Sequence, residues 1–274
     1  MNNYQLIAFD MDGTLLNSDK QISPETLNAI KRAGDAGKTV ILCTGRNLAE
    51  LNAFTEIIPG LRYLDCVSGA CVYDLKEKKT LYSQALDPGI VKKLMEFALE
   101  EEAMIHVLSE RSIVQRDQQS HMADFHMGIY QTMFDKITDK LENIYNSFCQ
   151  EPFPVLKLNL YHKDEYSRAR TVERIKAAGL ETSLECSAKG IDKGVGLKKL
   201  CEHLGLPLEQ TIAVGDADND TMALKTAGLS IAMGNATEPI KALADVIVAD
   251  CDHNGCAEAI DKYLLAENRP QKPV

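Results

Sequence analysis

Leu6-Ile7-Ala8-Phe9-Asp10-Met11-Asp12-Gly13-Thr14 is the stretch from which the rest of the chain can be read. A short apolar run ends in two carboxylates one residue apart, followed by a glycine and a threonine. The run is too short to cross a bilayer as a helix, and its branched and aromatic residues suit a buried strand. If strand geometry persists through Met11, its period of two places Asp10 and Asp12 on the same side. Two carboxylates that close raise each other's pKa unless a cation holds both ionised. The pair therefore predicts a metal, a phosphate or both at the end of the first strand.

Outward from that stretch the pattern alternates. Ser23-Pro24-Glu25 combines a capping hydroxyl, a proline at the first helical position and an acid in the first turn. Leu27, Ile30 and Ala33 follow at helical spacing, and Gly37 is placed to end the helix. Thr39 to Cys43 reads as a second buried strand, delivering Thr44-Gly45-Arg46 at its end. A helix carrying Leu48, Leu51 and Phe54 stops at Pro59-Gly60, and Tyr63 to Val67 is a third strand ending in Ser68-Gly69-Ala70. Strand–helix alternation with apolar strands predicts an α/β core with a parallel sheet and right-handed crossovers. Its polar clusters sit at the carboxyl ends of the strands, where open α/β sheets bind ligands.

From about Ser83 the texture changes. Pro88 to Glu101 reads as an amphipathic helix, and Met104 to Leu108 and Ser112 to Gln115 as short strands around Glu110-Arg111. A helical stretch is expected from about Asp135 to Phe148 and a half-buried strand from Val155 to Tyr161. A helix from about Glu165 to Ala178 and a strand from Leu180 to Cys186 complete the section. This two-layer α+β pattern differs from its flanks and predicts an inserted domain. The first texture returns with a helix beginning at Lys193-Gly194 and closing at Gly205-Leu206-Pro207. A buried strand from Thr211 to Val214 then ends in Gly215-Asp216-Ala217-Asp218-Asn219-Asp220. Leu229 to Met233 and Val246 to Ala249 predict two more strands, and Glu267 to Val274 a loose polar tail.

The composition bounds what this architecture serves. With 274 residues the chain can bury a full core, and 45% hydrophobic and 26% charged residues are ordinary for a globular protein. A formal net charge of -10 argues against a nucleic-acid or anionic-membrane partner, which would select a basic face. An anionic small substrate stays compatible, because a few placed donors override the net field locally. The first strand follows Met1-Asn2-Asn3 directly, leaving no room for a signal peptide. The eight cysteines form no C-x-x-C pair and sit mostly in apolar runs, so they read as reduced thiols of a cytoplasmic protein.

Four clusters thus stand at strand ends or at a helix start: Asp10/Asp12, Thr44/Gly45, Lys193, and Asp216/Asn219/Asp220. Together they contain the parts for phosphoryl transfer. One carboxylate can attack phosphorus, a second can protonate the leaving oxygen, and magnesium prefers oxygen ligands such as Asp10 and Asp216. Lys193, the Thr44 hydroxyl and the Gly45 backbone can neutralise phosphoryl oxygens. Hydrolysis of phosphate monoesters demands accelerations up to ~10²¹-fold, so several charges must act together.

In order and spacing these segments resemble the four motifs of the haloacid dehalogenase (HAD) superfamily. The insert after the third core strand is similar to the C2 cap of its Cof-type, class IIB phosphatases. The resemblance covers the whole chain and implies an α/β, Rossmann-like parallel-sheet core at 1–83 and 188–274, with an α+β cap at 84–187. It implies Asp10 as nucleophile and Asp12 as acid/base. It further implies magnesium on Asp10, the backbone oxygen of Asp12 and Asp216, supported by Asp220. Thr44, Gly45, Lys193, Asn219 and the backbone around Met11 would contact phosphate. Ser68 stands where the family usually has Asn, which is expected to weaken a contact positioning substrate or the first loop. Asp192 stands before the lysine where Asn is common.

The expected activity is magnesium-dependent hydrolysis of small phosphorylated metabolites, sugar phosphates foremost, through an aspartyl-phosphate. A phosphomutase would reuse the same phosphoaspartate. A phospho-accepting receiver module also clusters acids, Thr and Lys, but it lacks both an acid two residues after its nucleophile and a cap-sized insert. A non-catalytic phosphometabolite binder would not need the full acid set. Substrate selection falls to the insert, where Arg111, Arg116, His121 and His126 are polar candidates.

Overall fold

The computed structural model describes residues 4–180, 182 and 184–266. The expected tail at 267–274 lies outside them. Chain contacts divide the protein into two units. The first comprises the described parts of Met1–Gly45 and Asp192–Val274 together with Ala53–Tyr82; the second comprises Arg46–Asn52 and Ser83–Ile191. The second unit thus begins one residue before the expected insert, extends past it, and also takes in a short segment directly after Gly45.

Strand β1 (Leu6–Phe9) is buried along its whole length, with every side chain at or below 1% exposure. Each such Leu, Ile or Phe contributes about 1.5–3 kcal/mol relative to exposure, which is why an uninterrupted apolar run occupies the sheet centre. Helix α1 (Pro24–Asp35) starts as its sequence requires: the Ser23 side chain accepts from the Thr26 N–H and Pro24 fills the first helical position. Strand β2 (Thr39–Cys43), helix α2 (Leu48–Thr55) and strand β3 (Tyr63–Cys66) follow in the anticipated order. Two strands unassigned from sequence come next, β4 (Cys71–Asp74) and β5 (Lys79–Ser83). β4 pairs antiparallel with β3 across a tight turn, extending the sheet by a hairpin rather than a crossover.

In the second unit, α3 (Pro88–Glu100) is capped by Asp87, whose carboxylate accepts from the Gly89 and Ile90 N–H groups. Strands β6 (Met104–Leu108) and β7 (Ser112–Gln115) form a hairpin, and α4 (Arg116–Gln119) follows. The single helix expected over Asp135–Phe148 is instead α5 (Gln131–Ile137), the edge strand β8 (Thr138–Leu141) and α6 (Ile144–Gln150). The break has local causes. Thr138 Oγ1 donates to the Phe134 carbonyl at 2.6 Å, and Asn143 accepts from the Asn146 N–H at 2.8 Å as a new cap. Strand β9 (Lys157–Tyr161), helix α7 (Glu165–Ala177) and strand β10 (Glu185–Ser187) complete the unit. Positions 181 and 183 of the expected Leu180–Cys186 strand lie outside the described residues. The five strands run β10-β9-β6-β7-β8. Leu94, Met95, Val107, Leu158 and Ile175 pack between this sheet and α3, α6 and α7.

The first unit resumes with α8 (Lys193–Leu204). Asp192 caps it by accepting from the Val195 N–H at 3.0 Å, and Gly205 ends it with a φ of 64°. An Asp serves that cap as an Asn would. Strand β11 (Thr211–Gly215) pairs parallel with β1. Helix α9 (Thr221–Thr226), strand β12 (Leu229–Ala232), helix α10 (Glu238–Leu243), strand β13 (Val246–Ile247) and helix α11 (Gly255–Ala259) follow. The eight-stranded order is β13-β12-β11-β1-β2-β3-β4-β5. The strand that comes first in sequence is therefore central, with β11 and β2 on either side, and the chain order reverses there. Among the described residues, no helix is long and apolar enough to cross a membrane. All eight cysteines are free thiols, six of them buried.

Between β3 and β4 the turn is tightly specified. Val67 and Ser68 both hold positive φ, and Gly69 has φ 91° with its backbone against Asp192. A Cβ at Gly69 would lie 1.8 Å from the Asp192 carbonyl oxygen. Gly69→Ala is expected to cost at least about 1–3 kcal/mol from backbone strain alone. That is a loss of about 2–12 °C in thermal unfolding, and an unchanged midpoint would contradict the close approach.

Candidate active site

The strand ends converge as the topology dictates. β1 stops at Phe9, and Asp10 hangs from its carboxyl end, with its N–H donating to the Val214 carbonyl of β11 at 3.0 Å. The chain then curls: the Thr14 and Leu16 N–H groups both donate to the Met11 carbonyl. Gly13, at φ 85°, permits this turn, and a Cβ there would lie 2.5 Å from Asp216 Oδ2. Strand geometry does not persist through Met11, so the expectation that Asp10 and Asp12 share a side is corrected. Asp10 is buried at 7% exposure and Met11 fully, whereas Asp12 is exposed and bonds to Lys20 Nζ at 3.0 Å.

Asp10 finds its company across the sheet. Lys193, the first residue of α8 and 1% exposed, reaches Asp10 Oδ1 at 2.5 Å and Asp220 Oδ1 at 2.6 Å. The other Asp220 oxygen accepts from the Asp216 and Ala217 N–H groups at 2.9 and 3.1 Å, closing the turn after β11. Asp216 accepts from Thr14 Oγ1 at 2.8 Å. Asp10, Asp216 and Asp220 each offer an oxygen within 4.8 Å of the others. Burial raises Asp10 above the usual carboxylate range; Lys193 opposes that rise and Asp220 adds to it. Asp216 is likewise raised by burial, against the Thr14 hydrogen bond. For Lys193, burial works against the ammonium, but the Asp10 and Asp220 carboxylates outweigh it and raise its pKa.

One ammonium among three converging acids leaves an excess of negative charge in a largely desolvated place. Hard oxygen donors with that excess suit a divalent cation such as magnesium, and Asp10, Asp216 and Asp220 are the side chains that would hold it. Asp12 does not join this set through its side chain, which leaves only its backbone oxygen for such a role.

The remaining anticipated residues are distributed as follows. Thr44 is buried, its N–H donates to the Asp65 carbonyl at 2.8 Å, and its carbonyl accepts from Ser68 N–H at 2.9 Å. Gly45 is half-buried at the same strand end, and Asn219 is exposed in the turn between Asp216 and Asp220. Four residues that sequence reasoning did not single out shape the site. Thr14 holds Asp216, and Lys20 holds Asp12. Asn235 donates to the Gly13 carbonyl at 2.8 Å while accepting from the Cys251 N–H, and Asp65 lies buried beside Cys43. Thr14 was legible as part of the motif and Lys20 lies in the loop just after it, where no periodicity relates it to Asp12; Asn235 and Asp65 lie too far along the chain for spacing to relate them.

In the second unit, the four polar candidates are engaged locally: Arg111 with Asp139, Arg116 with Glu142, His121 with the Asp117 carbonyl, and His126 with the Lys163 carbonyl. His106 is instead buried against Ser112 Oγ at 2.7 Å. Burial, then Lys157, pushes its pKa down to about 3, so it is neutral.

The lysine bridge yields a stability prediction. Removing one partner of a buried pair costs roughly 3–5 kcal/mol. Lys193→Met should lose about that much in metal-free buffer near neutral pH. Without the ammonium, which opposes the burial-driven rise, the folded-state pKa of Asp10 climbs further above its unfolded value. The deficit should therefore shrink as pH falls and Asp10 becomes neutral. Equal midpoints for variant and wild type across pH would remove the bridge from the stability account.

The sequence matches the haloacid dehalogenase-like hydrolase family over residues 7–260. It is 31% identical to phosphatase YwpJ of Bacillus subtilis, covering 95% of this chain and 100% of that protein. It is 30% identical to the 5-amino-6-(5-phospho-D-ribitylamino)uracil phosphatase YcsE of the same organism, covering 95% and 96%. A haloacid dehalogenase-like hydrolase from Bacteroides thetaiotaomicron superposes with a TM-score of 0.79 at 25% identity, over 94% of this chain and 99% of that one. A HAD subclass IIB sugar phosphatase, BT4131, shares the fold with a TM-score of 0.79 at 22% identity, over 96% and 100%. The chain is an enzyme of the haloacid dehalogenase-like hydrolase family, a phosphatase like its curated relatives.

Proposed function

We propose that this enzyme hydrolyses small phosphate monoesters, phosphorylated sugars and sugar alcohols foremost, through an aspartyl-phosphate on Asp10. The observation that carries the reading is the burial of Asp10 at the end of β1, tied to Lys193 and facing Asp216 and Asp220. A carboxylate so placed has little water around it and a cationic neighbour to share with a phosphoryl group. The phosphorylated ribityl chain in the name of the Bacillus subtilis relative supports a polyol phosphate as the substrate class.

In the first step an Asp10 oxygen attacks phosphorus, the bond to the ester oxygen breaks, and Asp12 gives its proton to the departing alcohol. In the second, water attacks the phosphoaspartate while Asp12 takes the water proton, releasing phosphate and restoring Asp10. Lys193 opposes the burial-driven rise of the Asp10 pKa and neutralises phosphoryl oxygens. Thr44, Gly45, Asn219 and the Met11 backbone orient them. Magnesium, held by Asp10, the Asp12 backbone oxygen and Asp216 with Asp220 behind them, would supply charge neutralisation of the phosphoryl group. Asp12 must leave Lys20 to serve, and exposed ion pairs are worth only roughly 0–1 kcal/mol, so that pairing is no obstacle. The second unit, residues 84–187 at its heart, is the substrate-selecting cap.

A panel of phosphorylated metabolites, assayed for phosphate release with and without magnesium, tests the reading. Turnover of polyol phosphates that vanishes with chelator is the expected result, and binding without release would make the protein a receptor instead. Asp10→Asn should abolish turnover of p-nitrophenyl phosphate; retained activity would move the nucleophile elsewhere. Asp12→Ala should slow both steps by about 10²–10⁴-fold each, seen as loss of burst and of steady-state rate together.

A further inference from the structure

Asp65 is an acid without an evident place in the phosphoryl-transfer scheme. It lies on β3 with no exposure, opposite Cys43 of β2 in the parallel register. Its Oδ2 is 2.9 Å from Cys43 Sγ, and its Oδ1 has no hydrogen-bond partner. Cys43 Sγ is in turn 3.8 Å from the backbone carbonyl of Lys193. The space the carboxyl occupies exists because residue 196 is glycine: a Cβ there would lie 1.9 Å from Asp65 Oδ1.

We propose that Asp65 and Cys43 are positioning residues for Lys193, joined in a buried relay from the neutral Asp65 acid through the Cys43 thiol to the Lys193 carbonyl. The inference rests on the reading of Lys193 as the ammonium of the phosphate site. Its elements follow from counting protons. A fully buried carboxylate with one oxygen unpartnered is costlier than the neutral acid, so Asp65 carries a proton. Placed on Oδ2, that proton points at Cys43 Sγ. The thiol proton is then excluded from Oδ2, and the Lys193 carbonyl is the other acceptor in reach.

The surroundings agree. Burial pushes the Asp65 carboxyl up to about 8, with the Cys43 thiol, Lys193 and the Leu197 N–H opposing the rise and Asp192 of α8 adding to it. β4 presents only Val72 opposite. The Cys43 thiol is raised well above its ordinary value by burial and by Asp65, so it keeps its proton. Should Asp65 ionise, the thiol proton turns back to the carboxylate and the Lys193 carbonyl loses the contact from sulfur. The backbone origin of the lysine is what the relay fixes, and a misplacement of about 1 Å near reacting groups can cost roughly 10²-fold in rate.

A bland filling role for Asp65 makes a different forecast, namely changes in stability with catalysis intact. The test is steady-state hydrolysis of p-nitrophenyl phosphate in magnesium buffer across about pH 6 to 9.5, with thermal midpoints measured alongside. Asp65→Val and Cys43→Ala should lower kcat about tenfold or more with KM within about twofold, since orientation rather than binding is lost. Cys43→Ser, which keeps a donor and an acceptor, should restore most of kcat. Wild-type kcat should fall as pH rises through about 8, the direction set by ionisation of a raised acid. Asp65→Asn, which can still donate to sulfur but cannot ionise, should keep the neutral-pH rate and lose that fall. Wild-type kcat in Asp65→Val and Cys43→Ala, or the same alkaline fall in wild type and Asp65→Asn, would overturn the proposal. If Asp65→Val fails to fold, the Asp65→Asn profile decides alone. Full turnover in Lys193→Ala would instead strike the reading of Lys193 itself, and the Asp65 variants, which keep that lysine, separate the two failures.

Discussion

One buried ammonium holds the first unit's chemistry together. Lys193 stands at the start of α8, yet its Nζ sits between Asp10 at the end of β1 and Asp220 after β11. Burying a lone ammonium or a lone carboxylate is prohibitively expensive, so each of these groups is tolerable only because the others are there. The bridge thereby ties the central strand, its neighbour and the crossover helix to one point. The same point is where a phosphate and a cation would have to meet.

The two acids of the opening motif are separated by environment rather than by type. Asp10 is desolvated, raised in pKa and bound to a cation, whereas Asp12 is in contact with water and with Lys20. A nucleophile gains from being stripped of water and fixed in place; a proton carrier gains from freedom to move. The single residue between them, the fully buried Met11, turns one inward and the other outward. Around this turn Gly13, Thr14 and Asn235 hold the loop against Asp216 and the segment at Cys251. Beneath the lysine, the exchange of a side chain at Gly196 for the carboxyl of Asp65 places a further titratable group in the core.

Much of the fold was legible because strands buried on both faces must be apolar throughout and helices announce their starts. β1, β2 and α1 follow from their residues alone, down to the Ser23 cap and the Pro24 start. Legibility failed where the signals are short or shared. β4 and β5 are brief and joined by tight turns whose positive-φ residues include Lys78. The stretch from Asp135 to Phe148 keeps a helical rhythm of apolar residues across an edge strand, with Asn143 as the overlooked cap.

What the sequence by itself determined is the chemistry on offer: ordered acids, a threonine, a lysine at a helix start, and an insert of different texture between two halves of one core. Those features are local, written in neighbouring residues and their periodicities. Which acids meet was decided only by tertiary structure. Asp10 and Asp12 are two residues apart, yet Asp10 is grouped with Asp216 and Asp220, because the parallel pairing of β1 with β11 brings their ends side by side. The company of Lys193, and the presence of Cys43 and Asp65 beneath it, depends on the same sheet register and on the packing of α8, which no spacing along the chain encodes.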